Sequence, residues 1–222
     1  MDTNKSTEIN RSSNAEAILS QINHTTKLGE LRKMAKDIKK DHELAMVLWS
    51  SGEFSARLLA ILIMDKKLLS QDVLNQLDLD MQTHPLDERN QLVDWLMANQ
   101  LSKDKKTIAL MESWEHSSSA LQRRIFWYYQ ARLRWMGKTP PDNTEYLLSA
   151  IESNLAEEEP EVQWAMNFTA GWIGIYDEEY RERCMEIGVR TGLYKGEMVS
   201  KGCTPNYLPE FISIEVDKRM NK

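Results

Sequence analysis

Cysteine, glycine, proline and long apolar runs are all scarce in this 222-residue chain. The two cysteines, Cys184 and Cys203, form neither a disulfide framework nor a CxxC site, and they predict a reduced intracellular chain. Nine glycines and six prolines are too few for a collagenous or turn-rich β architecture. The longest aliphatic run, Leu58 to Met64, is far too short to span a bilayer. Residues 1–13 lack the apolar stretch of a signal peptide. A cytoplasmic location with no membrane partner is therefore expected. The sequence has no Gly-rich phosphate loop, no HExxH and no GxSxG. Its four scattered histidines, His24, His42, His84 and His116, read as surface or loop residues rather than ligands. No metal and no cofactor are expected. A net charge of -6 excludes a generic basic coat for nucleic acid but not a local basic face.

What is present is helical patterning from Asn14 onward. The spacing predicts helices opening at Ala15, over Gly29–Lys40 and over Glu43–Ser50, then a buried one over Phe54–Asp65. Further helices are expected over 70–82, 87–100, 103–114, 117–136, 143–155, 160–175 and 177–191. Short breakers separate them, among them Thr83-His84-Pro85 and Gly137 to Asp142. Pro160 suits the first turn of its helix, where a missing N–H costs nothing. The expected fold is all-α, an α-α superhelix of the HEAT or armadillo kind built from stacked antiparallel helical pairs, with a plain bundle as the alternative. Residues 1–13 are expected to form a tail and residues 14–200 the helical-repeat domain. Residues 201–222 read as a C-terminal tail, extended through Phe211, anchored by Tyr207, Leu208 and Phe211, with a short helix over Ile214–Met220.

Three helix faces carry candidate chemistry. On 121–136 a narrow stripe of Arg123, Trp127, Gln130 and Arg134 lies opposite a broad apolar arc. If it faces water, its arginines suit phosphates and its indole a base or sugar; otherwise it is a packed face. On 160–175, Val162, Met166, Thr169 and Ile173 form one stripe, and Trp164, Phe168, Trp172 and Ile175 another. The second either lines a cleft for a flat ligand or is buried. On 87–100, Leu92, Val93, Leu96 and Met97 form the core arc. Asp94 falls at its edge beside Trp95, where a carboxylate is costly unless paired or used.

The chain resembles the DNA alkylation repair, AlkD-like, family of HEAT-like-repeat proteins. The resemblance rests on Gly29-Glu30-Leu31-Arg32-Lys33-Met34-Ala35-Lys36, Leu48-Trp49, Glu53-Phe54-Ser55-Ala56-Arg57-Leu58-Leu59-Ala60, Leu92-Val93-Asp94, Leu121-Gln122-Arg123-Arg124 and Val162-Gln163-Trp164-Ala165-Met166-Asn167. It implies double-stranded DNA as partner and excision of cationic alkylated purines. Asp94 takes the place of the family's catalytic aspartate and Arg123 that of its DNA-binding arginine. Arg134 and Trp127 would add DNA contacts, and Phe168, Trp164 and Trp95 would face the lesion. Two tryptophans flank the aspartate in active members; their places fall on Asn90 and Phe168. The alternatives are a non-catalytic binder of bent or branched DNA and a scaffold for protein partners. A monomer is expected.

Overall fold

The computed structural model describes residues 13–220. Its regular elements are helices throughout, with no strand among the described residues. The chain divides into two compact units at Glu112/Ser113.

In the first unit, residues 13–19 are helical. They are followed by α1 (Leu28–Ile38), α2 (His42–Ser50), α3 (Phe54–Ile63), α4 (Gln71–Met81), α5 (Leu86–Asn99) and α6 (Lys105–Glu112). Short polar caps set the starts. The Asp41 side chain accepts from the Leu44 amide, and Ser70 Oγ accepts from the Val73 amide. α3 is the centre of the unit and packs against α1, α2 and α5. Its buried residues run from Ser55 through Ile61, as its all-round apolar sequence requires.

Arg57 is the one charged residue inside α3. Its Nη1 donates to Asp80 O at 2.6 Å, its Nε donates to Trp49 O, and its guanidinium lies 5.0 Å from the Trp49 ring centroid. Trp49 Nε1 in turn donates to Asp80 Oδ2 at 2.7 Å. Burial lowers the Arg57 pKa and the Asp80 charge opposes that shift. The Trp49 and Arg57 motifs thus tie α2, α3 and α4 together.

The second unit contains α7 (Ala120–Trp135), α8 (Thr144–Asn154), α9 (Pro160–Tyr176), α10 (Arg181–Thr191) and α11 (Leu208–Met220). Ser119 caps α7, Pro160 opens α9, and Gly192 closes α10 in the left-handed conformation at φ 64°. α9 is the hub, packed against the other four helices. The tail expectation is corrected here. Helix begins at Leu208, so Leu208 and Phe211 are helical rather than extended, although both are buried, as is Tyr207. The reason lies in three glycines. A Cβ at Gly171 would meet the Phe211 ring at 2.6 Å, one at Gly174 would meet Ile212 Cδ1 at 2.8 Å, and one at Gly188 would meet Pro209 Cδ at 2.6 Å. These hydrogens let α11 lie directly on α9 and α10, and packing there overrides the local Pro-rich sequence.

Candidate nucleic-acid interface

The first-unit candidate builds from α1 and α5. Leu92, Val93, Leu96 and Met97 are all buried, which fixes the rotation of α5 as the wheel predicted. Asp94 and Trp95 are left half-buried at the edge of that arc. Trp95 Nε1 donates to Leu58 O at 3.1 Å, so its ring is held against α3. The exposed Arg32 of α1 places its guanidinium 4.7 Å from the Trp95 ring centroid. Lys33 and Lys36 are also exposed on α1. A carboxylate and a tryptophan on adjacent residues therefore sit in the same unit as a cationic helix that touches the tryptophan. Asn90, one turn before Asp94, is half-buried, and its Oδ1 has no hydrogen-bond partner.

The second-unit candidate is an aromatic ladder along α9. Trp164 and Phe168 stack at 4.9 Å with an interplanar angle of 13°. Tyr128 of α7 packs against both at 5.6 Å. The ladder continues through Trp172 to Tyr176. Sequence periodicity ended this stripe on Ile175, which is buried; a strict four-residue step reaches Tyr176. Cations sit at both ends. The Arg124 guanidinium lies 4.5 Å from the Trp164 centroid, and that of Arg219 lies 4.2 Å from the Tyr176 centroid. Trp164, Phe168 and Tyr128 keep part of their surface exposed. Sequence reasoning missed Arg32, Arg124, Tyr128 and Arg219 as site residues, because each is placed by a helix distant in sequence.

The arginine stripe of α7 differs from the water-facing reading. Trp127, Gln130 and Arg134 are 3%, 2% and 2% exposed. Trp127 is enclosed where α7 meets α9, and its carbonyl accepts from Thr169 Oγ1 at 2.7 Å. Arg134 donates to Gln130 O and, through Nη2, to Thr144 Oγ1 at 2.9 Å. Burial lowers its pKa, countered by the Asp177 charge. Both residues work inside the unit rather than on a binding face. Arg123 remains partly accessible but is engaged. It donates to Glu158, to Glu159 and, at 2.7 Å, to Ser117 O. Burial alone would lower its pKa, and the two carboxylates outweigh that effect and raise it.

Among the described residues no group of three or more His, Cys, Asp or Glu side chains is placed to hold a metal ion. No described helix is long and apolar enough to cross a membrane.

The family model described as DNA alkylation repair enzyme matches residues 20–186. The chain belongs to the DNA alkylation repair enzyme family. No curated protein matches it. Among solved structures, the chain is similar to one described as a new family of proteins related to the HEAT-like repeat DNA glycosylases with affinity for branched DNA structures. That likeness covers 99% of this chain and 95% of the other, with a TM-score of 0.69 and 20% identity. It establishes a HEAT-like all-α fold for this family member.

Proposed function

We propose that this family member binds double-stranded DNA and removes cationic N-alkylated purines from it, acting as a cytoplasmic monomer. The Arg32–Trp95 contact carries the reading, because it brings the lysine-bearing α1 onto the residue next to Asp94. Arg32, Lys33 and Lys36 contact phosphates, and Asp94 acts at the sugar. An N-alkylated purine already carries positive charge, so its glycosidic bond breaks without a general acid at the base. Positive charge then develops on the sugar. The Asp94 carboxylate stabilises that oxocarbenium character and orients the attacking water. Within the other unit, the partly exposed Trp164 and Phe168 are aromatic faces on which a cation contact is worth about 0.5–2 kcal/mol. The buried Trp127 and Arg134 take no part in binding.

Binding of a fluorescent duplex across a salt series tests the DNA half of this reading. Arg32→Ala is expected to weaken binding about tenfold and to reduce the salt slope by about one. Binding that ignores both salt and Arg32→Ala contradicts it. A second reading, structure-selective binding without excision, is favoured by one observation. Asn90 stands where active members of the resembled family have a stacking tryptophan, and it offers a polar amide there. It predicts tighter binding to a four-way junction than to linear duplex, with no base released from alkylated DNA.

A further inference from the structure

A cavity of about 490 Å³ opens in the first unit between residues 19–24, the N-terminus of α3 and the turn before α5. Its walls include Leu19, Ile22, Phe54 and Ala56, and its polar groups include His84 and Glu88. The sequence places His84 in a turn between helices, which it is. Its side chain, however, is only 7% exposed. His84 Nδ1 lies 2.7 Å from Glu88 Oε2, and the ring packs edge-on to Phe54 at 6.1 Å. Nε2 is buried with no hydrogen-bond partner. A buried imidazole nitrogen without a partner is expensive and calls for one from outside the chain.

The helix end beside it has the same deficit. The first intrahelical bond of α3 runs from the Arg57 amide to Glu53 O. The amides of Phe54, Ser55 and Ala56 have no partner among the described residues, and the Glu53 side chain does not cap them. Ser55 Oγ is committed elsewhere, donating to Asn23 O at 2.7 Å. Phe54 and Ser55, whose amides lack partners at the positive end of a ten-residue helix, and His84, whose Nδ1 is held by a carboxylate, line one cavity.

We infer that this cavity is an oxyanion site, built for a phosphoryl group. With an oxyanion bound, His84 Nε2 donates to the ligand while Nδ1 stays on Glu88. The α3 amides donate to the remaining oxygens. Glu88 is held by His84 Nδ1 at 2.7 Å. Glu53 is exposed and has solvent to turn into. The apolar wall accommodates the body of a phosphate ester. The phosphoryl group comes either from a small phosphate or nucleotide or from a DNA strand, and the inference stands independently of the DNA-binding reading.

The test is a titration of the full chain followed by ¹H–¹⁵N NMR at the Phe54, Ser55 and Ala56 amides and at the His84 ring. The probes are inorganic phosphate, deoxyadenosine monophosphate, and a short duplex with and without a 5′-phosphate. The inference expects saturable shifts at both the amides and the ring, weakened about tenfold or more by His84→Gln. Glu88→Gln serves as a second variant and is expected to weaken binding as well. Circular dichroism melting confirms that both variants fold. Response to phosphate or nucleotide assigns a small-molecule source; response to the phosphorylated duplex alone assigns a DNA end. Absence of saturable shifts with every probe, or shifts unaltered in both variants, overturns the site. Fluorescence anisotropy of the same duplex, read in parallel, reports DNA binding separately. A silent cavity with intact DNA binding removes this site alone.

Discussion

The Arg123 guanidinium lies fork-on against the Glu158 carboxylate, with Nε 3.2 Å from each oxygen and Nη2 2.9 Å from Oε2. Glu159 closes on the same Nη2. The arginine that the family resemblance marks for DNA therefore has its charge answered by two carboxylates of the loop before α9. A phosphate has to compete with them. Replacing both by Glu158→Gln and Glu159→Gln is expected to raise duplex affinity severalfold at low salt and to steepen the salt slope by about one. The stability cost should be no more than about 1–2 kcal/mol, since Glu159 is well exposed. Unchanged affinity would show that Arg123 serves only to hold its own loop.

The aromatic ladder makes a separate prediction about discrimination. If Phe168 faces the cationic base, Phe168→Ala should lower the preference for alkylated over plain duplex by about 0.5–2 kcal/mol. The ratio of the two affinities is the readout, because any loss of folded protein affects both equally. An unaltered ratio would return the ladder to a purely packing role.

Gly188 tests the account of α11. Gly188→Ala puts a methyl 2.6 Å from Pro209 Cδ and 2.7 Å from Leu208 Cβ. Overpacking of this kind costs about 1–3 kcal/mol, visible as a lower denaturant midpoint. A wild-type midpoint would mean that α11 is loosely held.

Cys184 is buried, and burial pushes its thiol up to about 12, with the Arg183 charge partly opposing. Cys203 is exposed. A thiol-reactive probe at neutral pH should label Cys203 at once and Cys184 only on unfolding. The unfolded thiol ionises near pH 8.5, below the folded value, so the unfolded state loses its proton first and stability falls as pH rises between the two. Cys184→Ala should make that alkaline decline shallower by up to about 1.4 kcal/mol per pH unit.

Much of the fold was legible because each helix declares its own inner face. Leu92, Val93, Leu96 and Met97, like Val162, Met166, Thr169 and Ile173, are buried as their spacing predicted. Helix ends agree within a few residues where Pro160 or a capping serine marks them. A single-helix wheel does not show which outer faces a neighbour will cover. On α7 alone the Arg123–Trp127–Arg134 stripe reads equally as water-facing or packed, and α9 with the start of α8 encloses most of it. Arg32 on Trp95 and Arg124 on Trp164 join residues 63 and 40 positions apart in sequence, so no local pattern displays them. Likewise the docking of α11 depends on glycines of α9 and α10 as well as on its own Leu208, Phe211 and Ile212.

The chemistry assigned to Asp94 is tested most directly by base release. Alkylated duplex DNA is incubated with excess protein, and free 7-methylguanine and 3-methyladenine are measured for wild type and for Asp94→Asn, a substitution that keeps shape and removes charge. The account predicts single-turnover release by the wild-type protein and a loss of at least a hundredfold in rate for Asp94→Asn, with duplex binding retained. No release by the wild-type protein at saturating concentration, or equal release by the two, contradicts it.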